Sequence, residues 1–367
     1  MSSVISLWDW ILAQDPRFHI VFGLSVFLVL TSLSLFVYVL QLRNRRNLTH
    51  RLSEELLLEI EPLILDLVYS EDEEEWPNRT SEIRSILNVK MFEFHSYGRV
   101  SDYLVLLHKQ MDGEAAEKIE RLYREIGLPD RTIKLLKEGP WHQKVKAISA
   151  LGEFKVRRYL FEVIQFMDHP KRLVRDEAQF TAIVLGGKKA VKSIAELSNS
   201  ISKWQQLRLQ EECVKIGDAI KEDVFSWLSS KNETLVELSL RISIGMGWYE
   251  VLLPVSQLIG HRREEIRKLS VLAVAELGTP DMLTELVRRF EVESRSVQME
   301  IIHAITELDL EGTLENFLVS QVAYGQLELA LGSARALYEH NDENELARIS
   351  MLLPESRRVI LEHVKYA

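Results

Sequence analysis

The sequence predicts an all-α protein in which a single N-terminal transmembrane helix leads into an α-solenoid of helical hairpins. Three observations predict it: an uncharged apolar run near the N-terminus, closing turn residues that return about every 31 residues, and apolar stripes at three- and four-residue spacing between those turns. The boundaries that follow are a short extracytoplasmic segment at 1–17, the transmembrane helix at 18–42, a juxtamembrane helical region at 43–139 and the repeats at 140–367.

The run from Ile20 to Leu42 has 23 residues, sixteen of them Leu, Ile, Val or Phe. At 1.5 Å per residue it spans roughly 34 Å, about the thickness of a bilayer's hydrocarbon core. A cleaved secretory signal would need a basic leader, a shorter apolar core and a small-residue cleavage site. Here Asp9 and Asp15 precede the run and Tyr38, Leu40 and Leu42 close it, so the segment reads as an uncleaved anchor. Arg17 stands alone before the span, whereas Arg43, Arg45, Arg46 and Arg51 follow it. Basic residues collect on the cytoplasmic flank, which predicts an inner-membrane protein with its N-terminus outside and its bulk in the cytoplasm. Trp8, Trp10 and Phe18 read as an interfacial aromatic anchor.

Beyond the span, LSEELLLEIEPLILDLVY carries an apolar stripe through Leu52, Leu56, Ile60, Leu63 and Leu67, interrupted by Pro62, and can prolong the membrane helix. The acidic SEDEEEW run reads as a solvated loop, the alternative being a docking segment for a basic partner. Short helices are expected over Thr80–Phe94, Ser101–Met111, Glu114–Ile126 and Asp130–Glu138, as divergent repeats capping the array.

In the repeats the closing residues fall at Gly152, Gly186, Gly217, Gly247, Gly278, Asp309 and His340–Asn341, in steps of 34, 31, 30, 31, 31 and about 31. Each unit reads as two helices. In the clearest, Ile266, Leu269, Ala273, Val274 and Leu277 share one face, Gly278 supplies a left-handed C-cap and Pro280 opens a second helix to Val292, with Leu283, Leu286, Val287 and Phe290 inward. Neither helix buries its stripe alone, so stacked neighbours supply the core.

Val174-Arg175-Asp176, Ile266-Arg267 and Ala150-Leu151-Gly152 give this pattern a resemblance to HEAT repeats, particularly the short bacterial type also met in phycobilin lyases. The resemblance covers about 225 residues. It is closest at 140–190 and 262–325 and weaker at 205–250, where Trp204, Trp248 and Tyr249 replace small residues. It implies an α-solenoid whose second helices line a concave face, and by analogy of build a component of envelope or exopolysaccharide machinery. It also raises two enzyme alternatives, a bilin-type lyase and a DNA glycosylase; a purely structural spacer is a third reading.

The residues themselves carry no catalytic signature. Glu300-Ile-Ile-His303 has the i, i+3 spacing of a metal-binding pair, but there is no second copy of it. GGKKAVKS at 186–193 lacks the spacing of a phosphate loop and reads as a helix-joining turn. The common CxxC, HExxH and GxSxG motifs do not occur. A formal charge of −10 disfavours a general affinity for nucleic acid, and a single cysteine, Cys213, excludes an internal disulfide framework and reads as a buried helix residue. No catalytic residue, metal site, cofactor or small-molecule substrate is expected. The expected partners are a membrane-associated protein and, through the N-terminal helix, the lipid bilayer. The one candidate binding patch is basic: Arg157 and Arg158, then Lys188, Lys189 and Lys192, on successive second helices among Glu162, Gln165 and Glu196.

Overall fold

The structure is a computed structural model that describes residues 16–70, 72–90 and 94–365. Among the described residues it consists of α-helices, six short 3-10 helices and connecting turns, with no strand. The chain divides into two compact units, Met1–Leu135 and Leu136–Ala367.

In the first unit α1 (Pro16–Tyr69) is continuous from the apolar run through Pro62, followed by α2 (Trp76–Lys90), α3 (Phe94–Gln110), α4 (Glu114–Glu125) and α5 (Leu128–Glu138). The portion Ile20–Asn44 is long and apolar enough to cross a membrane and is wholly unburied. Further along the same helix, Leu56, Ile60, Ile64 and Leu67 are buried against α2, α3 and α4, which contribute Ile83, Leu87, Val100, Leu104, Ile119 and Leu122. Pro62 is tolerated because the carbonyl it leaves without an amide partner is that of Leu58, whose residue is exposed to water. The acidic run is exposed at Asp72, Glu73, Glu74 and Glu75, yet it is anchored. Glu73 pairs with Arg121 at 2.8 Å, and the buried Trp76 donates its indole N–H to Glu125 at 2.8 Å beneath the Arg121 guanidinium.

The second unit is a run of helix pairs. They are α6 (Trp141–Glu153) with α7 (Leu160–Ile164), α8 (Arg172–Gly186) with α9 (Lys188–Ile194), α10 (Lys203–Ile216) with α11 (Lys221–Ser226), and α12 (Glu233–Gly245) with α13 (Leu252–Leu258). Then come α14 (Glu264–Leu277) with α15 (Leu283–Arg289), α16 (Arg295–Leu308) with α17 (Glu315–Tyr324), and α18 (Leu327–His340) with α19 (Glu343–Leu352), before a closing helix α20 (Glu355–Lys365). The longer first helices contact one another in order, from α6 on α8 to α16 on α18, and the shorter second helices α7, α9, α11, α13, α15 and α17 each lie against a neighbouring first helix.

Burial gives the repeat a sharper period than the turns do. Ala147, Ala178, Leu209, Leu240, Val271, Ile302 and Ser333 are all buried on the first helices, each 31 residues after the last. The first turn-to-turn step is 34 because α8 is two residues longer than α6 and Gly152 is the penultimate residue of α6 whereas Gly186 is the last of α8. Gly186 stands inside the helix, where a Cβ would lie 2.7 Å from Leu160 Cδ2 and 3.0 Å from Ala190 Cβ. The left-handed residue is its neighbour Gly187, as it is at Gly217 and Gly247.

Gly278 corrects the expected cap: its backbone is extended, with φ −82° and ψ −170°, so it does not end α14 left-handed. Glycine stands there because a Cβ would lie 2.5 Å from the Val274 carbonyl oxygen. The rest of that hairpin follows the pattern, with Pro280 opening the second segment and Leu283, Leu286 and Phe290 buried. The turns into α8 and α14 are built alike. His169 and His261 each accept a backbone N–H through Nδ1, from Lys171 and Arg263, and Arg175 and Arg267 each donate at 2.9 Å to the carbonyl of that histidine.

Candidate functional site

The second helices can be aligned by what they bury. Val163, Ile194, Val224, Val255, Leu286, Leu318 and Ile349 are inward, and the steps between them are 31, 30, 31, 31, 32 and 31 residues. Counting back from these anchors defines three outward rows. Two residues before them lie Phe161, Lys192, Glu222, Leu253, Thr284, Asn316 and Ala347, all exposed. The positions five and six residues before the anchors are exposed in every hairpin as well. They are occupied by Arg158 and Arg157, Lys189 and Lys188, Ala219 and Asp218, then Glu250 and Tyr249, and next Asp281 and Pro280.

All five basic residues singled out from the sequence therefore occupy one outward surface. Arg157 and Arg158 sit in the 3-10 turn Arg157–Tyr159 that leads into α7, and the Arg158 guanidinium lies 4.7 Å from the centre of the Tyr159 ring. Lys188, Lys189 and Lys192 lie on α9. Leu160 and Ala190 flank Gly186 at contact distance, so the N-terminal ends of these two second helices are neighbours. Among the described residues no carboxylate forms an ion pair with Arg157, Lys188, Lys189 or Lys192. Phe161, which is 78% exposed, stands among them.

The acidic counterpart of this patch comes from α11 and α13. Asp218 accepts the indole N–H of the buried Trp248 at 2.7 Å, and Glu250 pairs with Lys221. The hydrogen bond from Lys221 holds the Glu250 carboxyl below the ordinary carboxylate range. Beside them Tyr249 and Leu253 are exposed, Leu253 at 81%. No single segment of sequence announces this half, because its charges are scattered over two hairpins and come together only when the second helices are aligned by their buried anchors.

The remaining candidates resolve into local roles. Glu300 pairs with Lys268 at 3.3 Å, while His303 faces Glu276 at 3.7 Å and Glu307 at 3.8 Å. Among the described residues no group of three His, Cys, Asp or Glu is placed to hold a metal ion. Cys213 is buried, and that burial, with Glu212 nearby, pushes its thiol up to about 12. A small cleft lined by Asp309 and His340 has a volume of about 10 Å³, room for a water molecule only. The Asp309 carboxylate there accepts the Thr313 and Leu314 amides and the Thr313 hydroxyl.

Of the arginines expected from the sequence to orient the span, Arg43 and Arg51 are exposed on α1. The side chains of Arg45 and Arg46, and the N-terminal Trp8 and Trp10, lie outside the described residues. No family model and no curated protein matches this chain.

Proposed function

We propose that the chain is a membrane-tethered scaffold, a HEAT-like α-solenoid held by its N-terminal helix at the cytoplasmic face of the inner membrane, where it binds a membrane-associated protein. The observation that carries this reading is the outward surface of the second helices, which repeats in register hairpin after hairpin while its side chains change from basic to acidic. Stacked hairpins make extended surfaces of this kind, and variation on a constant frame suits recognition of a long partner rather than chemistry on a small substrate. The constant 31-residue step, the ordered contacts of first helices and the paired arginine turns at Arg175 and Arg267 support the solenoid and the HEAT-like reading.

The tether confines the search for a partner to the membrane surface and raises its effective concentration there. Arg43, Arg45, Arg46 and Arg51 against the lone Arg17 support the cytoplasmic orientation. By analogy of build, envelope machinery is the setting we propose. The experiment is crosslinking in native membranes, followed by identification of captured proteins from wild type and from Arg158→Glu/Lys189→Glu/Lys192→Glu. The expected result is a specific partner lost from the triple variant and captured less well from wild type as salt rises. Equal recovery from both would remove the basic surface from partner binding.

A further inference from the structure

The second-helix surface is complementary to itself. The first two hairpins present Arg157, Arg158, Lys188, Lys189 and Lys192, and the next three present Asp218, Glu222, Glu250 and Asp281, in the same outward rows. Reversing the order of the hairpins about a point between Ile194 and Val224 places the first hairpin opposite the fourth and the second opposite the third. Row by row, Arg158 then meets Glu250, Phe161 meets Leu253, Lys192 meets Glu222 and Lys188 meets Asp218, while Lys189 meets Ala219 and Asp281, on the fifth hairpin, has no counterpart among these four. Arg157 meets the exposed ring of Tyr249, a cation over an aromatic face. The operation is a two-fold axis lying in the contact plane, parallel to the second helices, and a closed two-fold contact uses one patch on both copies.

We propose that this chain forms a two-fold dimer through its second-helix surface, with the basic rows of one copy seated on the acidic rows of the other. The inference rests on the reading of that surface as the binding face and names a second copy of the chain as its occupant. Two features favour this occupant over an unrelated acidic protein. The apolar side chains fall in matched positions, Phe161 and Leu253 standing in the same row, so the charge pairs bracket an apolar contact that excludes water. Arg157, Lys188, Lys189 and Lys192 also lack carboxylate neighbours where Lys221 and most other lysines and arginines of the unit have them, so contact with the acidic rows supplies what the single copy leaves out at these four.

The test uses full-length protein in membranes, where Cys213 is the chain's only cysteine and is buried. Phe161→Cys and Leu253→Cys are expressed separately and together and then oxidised. The proposed axis sets residue 161 against residue 253, so the mixture should give a disulfide-linked dimer and each variant alone little or none. In detergent, Lys188→Glu/Lys192→Glu should raise the dimer dissociation constant at least tenfold, as should Asp218→Lys/Glu222→Lys, and the two pairs combined in one chain should restore it. Phe161→Cys crosslinking alone as efficiently as the mixture, or no crosslink in the mixture, overturns the proposal. So does failure of the combined reversal to restore association. A crosslinked dimer from membranes that yield no other captured protein would sink the scaffold reading alone; a captured partner without the mixed disulfide would sink the dimer alone.

Discussion

The first helices of the second unit and the second helices of its first two hairpins treat charge in opposite ways. On the first helices, cations are neutralised across hairpins: Arg208 bonds Glu177, Arg241 bonds Glu265, Lys268 pairs with Glu300, and Arg263 pairs at 2.6 Å with Glu237, which is 1% exposed. Gln206 closes this set by donating to Glu237 and accepting from Arg241. On the second helices of the first two hairpins, Arg157, Lys188, Lys189 and Lys192 face water without carboxylates, whereas further along Lys221 pairs with Glu250 and Arg348 with Glu315. The difference teaches where the array spends its polar groups on holding itself together and where it leaves them for something else. A crosslinked face resists change because carboxylates such as Glu237 and Glu265 each hold two partners, whereas the open face can vary from hairpin to hairpin at little cost to folding.

The comparison breaks most severely if the frame beneath both faces is disturbed. Val255→Asp buries a carboxylate at an anchor position and should cost roughly 3–5 kcal/mol, seen as lost protection in hydrogen exchange over α12 to α15. The outward Leu253→Asp, two residues away, should leave that protection unchanged; equal damage from both would mean the rows are misassigned. Next in size, Glu237→Ala strips Arg263 and Gln206 of a partner and should cost about 2–4 kcal/mol in a thermal or urea melt. By contrast, Arg158→Glu/Lys189→Glu/Lys192→Glu should move Tm by less than ~3 °C, since all three side chains are exposed to water.

Acid sharpens the contrast. Burial alone would raise the Glu265 carboxyl, but the hydrogen bond and charge of Lys203 and the charge of Arg241 outweigh it and hold the group below the ordinary range. A carboxyl lowered by folding contributes stability that is fully present above its unfolded value of about 4.3 and is lost as pH falls through the folded one. The Tm difference between wild type and Glu265→Gln should therefore be largest near neutrality and shrink below pH ~4. A difference independent of pH would show that Glu265 acts through packing alone. The smallest expected effect is on topology. Asn78, which opens the glycosylation sequon Asn78-Arg79-Thr80 and is exposed on α2, is a better reporter than Asn232 of Asn232-Glu233-Thr234, whose amide already donates to the Leu197 and Asn199 carbonyls at 3.1 Å. In a glycosylating host Asn78 should stay unmodified if the unit is cytoplasmic.

The repeat was legible from sequence because its anchors are apolar and closely spaced; the second segment read from Pro280 to Val292 has those bounds in the structure. Glycines were less legible, because the same residue serves turns and close approaches. Gly187, Gly217 and Gly247 are left-handed, while Gly186 admits Leu160 and Ala190 and Gly278 clears a carbonyl. The three aromatic residues at 204, 248 and 249 also look alike in sequence. Only Trp248 is inside, donating to Asp218, whereas Trp204 is 71% exposed. The basic half of the surface was readable as a local run of charge. Its acidic half was not, since Asp218, Glu222 and Glu250 look like ordinary solvated residues until the helices are set in register.

The continuity of α1 has a mechanical consequence. Its apolar stretch ends at Asn44 and Leu56, the next buried side chain among the described residues, lies twelve residues further along one unbroken helix, or about 18 Å at the α-helical rise. Such a helix is a stiff shaft: it transmits torsion and axial thrust, where a loop would absorb both. Sliding the span by one residue through a thicker or thinner bilayer would shift the first unit by ~1.5 Å along the helix axis. Bilayer thickness would thereby set the height at which that unit meets its surroundings.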